Sequence, residues 1–252
     1  MQSVKLAEVE VRRVGLGSNR LTKTGANVAF IKAAVAAGVQ MIDTAHLYTG
    51  GQSEETIGTA VSPVPANVVV ATKAGFRGAR PEVLRAEMEE SFRLLRTDTI
   101  TLHYLHRVDP QTPIEESLAV LKEYRDGGRI RHIGVSEVGI AFIERARRIV
   151  PIVAVQNQYN LAERRHDDVV DYCEREGIAF VPFFPLRGSD GGALREIAKR
   201  HRATPQQIAL AWLLHRSPVM LPIPGTLSVG HLKENLAALD IELSNAEFEA
   251  LR

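Results

Sequence analysis

Short apolar runs alternate along the chain with longer stretches whose apolar positions recur three and four residues apart. The runs fall at 14–18, 40–43, 68–72, 100–105, 130–135, 152–155, 178–183 and 219–223. They are almost uninterrupted in apolar character, the mark of strands buried on both faces. Helical periodicity follows at 27–37, 54–60, 81–95, 114–126, 140–148 and 167–176. Two helical patterns, 193–201 and 205–215, separate the seventh run from the eighth, and another, 227–239, follows it. Pro81 sits where a first helical turn tolerates proline, and Ser244 with Glu247 forms a capping-box pair that starts a last helix. Before the first run, Val9, Val11 and Val14 alternate with Glu8, Glu10 and Arg12, a pattern expected of a small hairpin covering one end of the fold. Eight strand-then-helix units favour a closed (β/α)8 TIM barrel over an open doubly wound sheet. The expected fold is therefore an α/β barrel with an N-terminal β-hairpin and an extra helix after the seventh strand. No Pro/Gly/Ser-rich linker interrupts the pattern, so residues 1–252 are read as one domain.

Composition narrows the function classes. A net charge of +1 with 24% charged residues gives no field for a polyanion, and no basic run or aromatic-interleaved basic stripe is present, so no nucleic-acid partner is expected. No apolar run approaches the ~18 residues of a membrane span, and the first residues lack the build of a signal peptide. A single cysteine, Cys173, cannot form an internal disulfide or a cysteine metal cluster. A cytoplasmic protein without membrane partners is the expectation.

The candidate chemistry lies at the carboxyl ends of the apolar runs, where barrels carry their active sites. Asp43 ends the second run and Tyr48 follows it by five residues; Lys73 ends the third and His106 follows the fourth. Each alone is ordinary, since a strand-end Asp often caps a helix, a strand-end Lys is often solvated, and a loop Tyr often packs. As a set they are coherent. A phenol can serve as an acid near neutral pH when an ammonium beside it favours the phenolate. A carboxylate keeps such a lysine charged and aimed, and a histidine can orient a carbonyl oxygen. His103, three residues before His106, faces the opposite side of the sheet and is read as a packed or hydrogen-bonded barrel residue. His46 either touches substrate or is a solvated loop residue. Phe76, Tyr104, Arg107 and Asn19 are candidate pocket walls. No G-x-G-x-x-G opens a helix, so a Rossmann-type dinucleotide site is not supported.

Several ordered motifs give the chain a family resemblance over nearly its whole length. They are Ile42-Asp-Thr-Ala-His-Leu-Tyr48, Ala71-Thr-Lys-Ala-Gly75, Leu105-His-Arg-Val-Asp-Pro110, Ile130-Arg-His-Ile-Gly-Val-Ser136, Val155-Gln-Asn-Gln-Tyr-Asn-Leu161, Ile223-Pro-Gly-Thr226 and Glu234-Asn235. With these the chain resembles the aldo-keto reductases, in the branch that is mostly bacterial. The resemblance implies reversible hydride transfer between NADPH and an aldehyde or ketone of a small molecule. Its catalytic tetrad would be Tyr48 as general acid, Lys73 beside it, Asp43 holding Lys73, and His106 positioning the substrate oxygen. The cofactor would extend across the barrel top. Ser136 and Gln156 would bond the nicotinamide carboxamide, Phe183 would stack on the ring, and Pro185 and Leu186 would run along the cofactor backbone. Gly225, Thr226, Ser228 and His231 would take phosphate at a helix N-terminus, with Arg20 or Arg187 as possible helpers, and Glu234 and Asn235 would hold adenine. No metal is implied.

Two departures from the family pattern stand out. Glu137 follows Ser136 where the family commonly has Asn, and its carboxylate either points away or weakens the carboxamide contact. The loops after Gly17 and after Gly75 are short, which implies an open, shallow pocket or one completed by a partner subunit. The chain is expected to be a monomer or weak homo-oligomer, with NADPH favoured over NADH. A nucleotide-binding, redox-sensing regulatory subunit is the alternative in a different class, and a metal-dependent hydrolase is weaker, because only Asp43 and His106 are placed to act as ligands.

Overall fold

The strand-end residues that matter are delivered by a parallel barrel. In a computed structural model of the protein, residues 2–252 are described. Seven strands pair in chain order: β3 (Leu16–Gly17), β4 (Met41–Asp43), β5 (Val69–Ala74), β6 (Ile100–Leu105), β7 (Ile130–Ser136), β8 (Ile152–Gln156) and β9 (Ala179–Phe180). The eighth barrel position is filled by residues 219–225, which do not form a regular strand as the apolar pattern over 219–223 predicts. Pro222 and Pro224 have no N–H to give a ladder. The segment still closes the barrel through its remaining groups. Leu221 N–H donates to Phe180 O at 2.8 Å, and Pro222 O and Pro224 O accept from Gly15 N–H at 2.9 Å and Gly17 N–H at 3.2 Å. A side chain at Gly17 would place its Cβ 2.7 Å from Ile223 O, so this seam requires glycine.

The helices form the outer layer: α1 (Gly25–Ala36), α2 (Gln52–Val61), α3 (Pro81–Leu95), α4 (Ile114–Asp126), α5 (Ile140–Arg147) and α6 (Asp167–Glu176). The two helices predicted before the last strand are α7 (Gly192–His201) and α8 (Pro205–Arg216), and α9 (Val229–Ala237) and α10 (Asn245–Ala250) complete the chain. Local chemistry starts several of them: Thr24 caps α1, Thr204 and Gln207 make a capping box on α8, and Ser244 and Glu247 make the predicted one on α10.

The predicted hairpin is β1 (Ser3–Leu6) with β2 (Val9–Arg12), paired antiparallel with Val4 opposite Val11. Val4, Leu6 and Val11 pack against Met41, Val69, Leu102, Ala179 and Leu221, so the hairpin plugs the end of the barrel where the strands begin. Strand alternation then fixes what reaches the other end. Met41, Val69, Leu102 and Ala154 point into the barrel, so Asp43, Lys73, His106 and Gln156 point the same way, an even number of residues later. Ile42, Val70, Ile133 and Val155 face the helices instead. Gly134 also belongs to the inward set, where a Cβ would sit 2.4 Å from the ring of fully buried Tyr104. That missing side chain makes room for the largest residue inside the barrel floor.

Candidate active site

Asp43 and Lys73 meet at the barrel mouth. Lys73 Nζ donates to Asp43 Oδ1 at 2.5 Å and to Thr44 O at 2.6 Å, and Gln156 Nε2 donates to Asp43 Oδ2 at 2.8 Å. Both charged groups are buried. Burial, the largest influence on each, penalises either charge; it holds the Asp43 carboxyl above its ordinary range, while the carboxylate and Tyr48 together carry Lys73 above its own. The proton therefore stays on the lysine.

The ammonium lies 5.0 Å from the centre of the Tyr48 ring. Tyr48 is presented by an unusual turn: Thr49 adopts φ 50°, followed by Gly50 at 64° and Gly51 at 85°. A β-branched residue at positive φ is strained, and such strain persists only where surrounding structure holds it. Here Thr49 Oγ1 donates to Leu21 O at 2.7 Å. Beneath the turn a hydroxyl network ties the loops to α2. Ser18 Oγ donates to Asp43 O at 2.8 Å, and Ser53 Oγ lies 2.8 Å from both Ser18 Oγ and Thr44 Oγ1. Sequence reading gave no sign of Ser53, which looks like any first-turn serine.

His106 stands across from Tyr48, with ring centres 6.1 Å apart and planes at 82°, and its other side meets Phe76 at 4.9 Å. Burial, then the charges of Lys73 and Arg107, push its pKa down to about 2, so the imidazole is neutral at any working pH. His103 is the packed residue its position in the strand implies, though without a hydrogen bond to either ring nitrogen. Burial pushes it down to about 3. His46 does not line the pocket; its Nδ1 lies 4.0 Å from the Glu54 carboxylate on the helical side. Glu54 is fully buried, donated to by Thr72 Oγ1 at 2.5 Å, and burial raises its pKa to about 7. As a first-turn acid on α2 it reads from sequence as an exposed helix start, and nothing in its spacing signals burial.

A cavity of about 320 Å³ opens above these groups, lined by Tyr48, His106, Ser136, Gln156, Phe183, Pro185 and Gly225 among others. Phe76 and Phe184 stand exposed at its rim. A narrower cleft sharing Gly17, Ser18, Asn19 and Gly225 continues from it toward Thr226 and Arg20. Ser136 Oγ accepts from Arg107 Nη1 at 3.1 Å, which leaves its own proton to be given to an acceptor in the cavity. Gln156 spends its NH2 on Asp43, which leaves its carbonyl as an acceptor. Glu137, at φ 55°, turns its carboxylate away from Ser136, accepting from Gln158 N at 2.6 Å and pairing with Arg165 at 2.9 Å.

The other predicted nucleotide contacts lie further along. Leu186, Thr226, Ser228, His231, Glu234 and Asn235 do not line the main cavity. Thr226 Oγ1 accepts from Ser228 N at 3.0 Å and Ser228 Oγ accepts from His231 N at 3.4 Å, capping the start of α9. Glu234 and His231 are exposed on α9, and Asn235 is buried.

The chain is similar to several known proteins. The model of the Aldo/keto reductase family matches residues 13–192 and 188–252. The chain is 36% identical to pyridoxine 4-dehydrogenase of Escherichia coli K12, over 98% of this chain and 96% of that protein. The crystal structure of a thermostable aldo-keto reductase, Tm1743, in complex with the inhibitor epalrestat superposes with a TM-score of 0.93 at 33% identity, covering 100% of this chain and 98% of that one. An aldo/keto reductase from Klebsiella pneumoniae in complex with NADP and acetate superposes at 0.89 with 28% identity, covering 99% of this chain and 94% of that one.

Proposed function

The chain belongs to the aldo/keto reductase family of NAD(P)H-dependent oxidoreductases, and we propose that it reduces an aldehyde or ketone of a small molecule with NADPH, using Tyr48 as the acid. The observation that carries this reading is the buried Asp43–Lys73 pair set against the Tyr48 phenol at the floor of an aromatic-walled cavity.

The residues present fit the nicotinamide end of the cofactor. A carboxamide offers one acceptor and one donor, and Ser136 and Gln156 have the matching donor and acceptor to spare. Phe183 offers a half-buried ring face, Pro185 continues along the cavity wall, and Leu186 follows it in the chain just outside the lining. The cleft past Gly225 leads to the start of α9, where first-turn N–H groups favour a phosphate. Arg20, whose Nη2 lies 3.4 Å from Gly225 O, stands at that end as the cation for the additional phosphate of NADPH. Glu234 and Asn235 follow on α9 and would hold the adenine.

Bound NADPH supplies the hydride that reaches the carbonyl carbon. The chain's own residues do the rest. Neutral His106 donates one hydrogen bond to the carbonyl oxygen and fixes its direction. Tyr48 gives its proton to that oxygen as negative charge develops there. The Lys73 ammonium, 5.0 Å from the ring centre, stabilises the charge left on the phenol oxygen, and Asp43 keeps Lys73 protonated and aimed. In the alcohol-oxidising direction the same phenol oxygen takes the proton back.

The test is consumption of NADPH, followed by its absorbance, with 4-nitrobenzaldehyde and with pyridoxal. Pyridoxal is included as the aldehyde counterpart of the compound named for the E. coli relative. Turnover of a carbonyl compound supports the reading, and tight NADPH binding without turnover of any carbonyl compound in a broad screen would overturn it in favour of a nucleotide-sensing subunit.

A further inference from the structure

Arg107 is the one cation among the residues lining the main cavity, and the reaction described above does not use it. It follows His106 directly at the end of β6, so its guanidinium shares the wall that would hold a substrate's carbonyl. The side chain is half-buried, and burial lowers its pKa, a measure of how poorly water solvates the charge there. It is also without a carboxylate in ion-pair range. Among the described residues no Asp or Glu oxygen lies within 4.0 Å of it, and the Glu137 carboxylate acts on its charge only from further off. Glu137, which could have served, is committed to Gln158 N–H and to Arg165. Only Nη1 of Arg107 is engaged, donating to His106 O at 2.9 Å and to Ser136 Oγ at 3.1 Å. The two rings flanking the guanidinium, Phe76 at 5.4 Å and Phe183 at 5.8 Å, hold it in place without neutralising it.

A half-desolvated guanidinium with spare donors in an apolar-walled cavity is a site for a planar anion. The carbonyl end of such a ligand is fixed by Tyr48 and His106. Phe76 touches both His106 and Arg107, so the anionic end needs to reach only one ring's width further. The nicotinamide end of the cofactor carries no phosphate, which leaves the substrate as the source of the anion. From this geometry, and resting on the reductase reading above, we propose that Arg107 is a specificity-determining residue that pairs with a carboxylate, so that the preferred substrates are carbonyl compounds bearing a carboxylate about one ring away from the reacting carbon.

The proposal is tested with a matched pair, 4-carboxybenzaldehyde and 4-nitrobenzaldehyde, whose para groups are both planar and of similar size but differ in charge. The readout is the ratio of kcat/KM for the carboxylate over the nitro compound, because effects of a substitution on cofactor binding cancel in it. Arg107→Met should lower that ratio by about tenfold or more, the cost of one charge-assisted hydrogen bond or pair. Arg107→Lys, which keeps the charge and loses the fork, should fall between. The ratio staying within threefold of wild type in Arg107→Met would overturn the proposal. A binding measurement keeps the result independent of turnover: 4-(hydroxymethyl)benzoate titrated calorimetrically into the protein–NADPH complex, which cannot react. Weakening by about tenfold in Arg107→Met supports the anion site; unchanged affinity overturns it. Loss of turnover for both aldehydes in the wild type, with the binding difference intact, would instead remove the reductase reading and leave the anion site standing. A phosphorylated aldehyde run beside the carboxylate pair identifies which anion the site prefers.

Discussion

Asp43 and Lys73 each carry a charge that the other makes tolerable. A buried ammonium is expensive without a counter-charge, and removing one member of such a pair commonly costs about 3–5 kcal/mol. Asp43→Asn keeps the side chain's size and its contacts with Gln156, but leaves Lys73 buried beside a neutral amide. Thermal unfolding of Asp43→Asn should occur well below wild type, and adding Lys73→Met should restore part of the loss because the stranded charge is gone. Equal melting temperatures for the single and double variants would show that the pair does not carry a buried charge. At this scale much of the site could be seen in the sequence. Asp43, Tyr48, Lys73 and His106 occur in a pattern that strand alternation converts into a single inward-facing cluster. Their support could not be seen. Ser53, Glu54 and the left-handed Thr49 have no periodic signature, since their roles come from which loop folds over which helix.

Helix α2 shows what an element contributes beyond holding the barrel together. It carries Glu54 into the layer between helices and sheet, where Thr72 Oγ1 donates to it and His46, Glu90 and Lys73 are the charged or titratable groups nearby. Burial raises its pKa from 4.5 to about 7, so the folded state holds this proton more tightly than the unfolded chain does. The sign follows from that: the stabilisation is complete below about pH 4.5 and is lost as pH rises through 7. Glu54→Gln has no proton to lose. Its melting temperature relative to wild type should therefore rise between pH 5 and pH 8, and a constant difference across that range would show that folding does not raise the pKa of Glu54. His103 and His106 act in the opposite sense in both proteins and cancel in the comparison. Elements such as α3, α4 and α6 match their predicted bounds because their apolar faces and end signals agree. The predicted strands at 178–183 and 219–223 are mostly irregular, because Pro182, Pro222 and Pro224 leave gaps in the ladder that apolar character alone does not reveal.

For the molecule as a whole, the two ends of the barrel have separate tasks. The hairpin seals the end where the strands begin with Val4, Leu6 and Val11, and the opposite end collects every group assigned to chemistry. Phe76, in the short loop that begins at Gly75, and Phe184, after β9, stand exposed at the rim, 42% and 43% accessible. Arg107 shares the cavity wall with His106, where the proposed reaction would place the substrate's carbonyl. Alternation and the eight-unit count were enough to reach this architecture. The closing seam at Gly17 and Gly225 leaves no mark in the sequence, because it joins segments at opposite ends of the chain. The proposed reaction turns on one proton transfer at Tyr48. The most direct measurement pairs steady-state turnover of 4-nitrobenzaldehyde with an NADPH fluorescence titration on the Tyr48→Phe protein. Loss of a general acid should lower kcat by about 100-fold or more while the NADPH dissociation constant stays within about threefold of wild type. Wild-type turnover in Tyr48→Phe would contradict the assignment of the proton to this phenol.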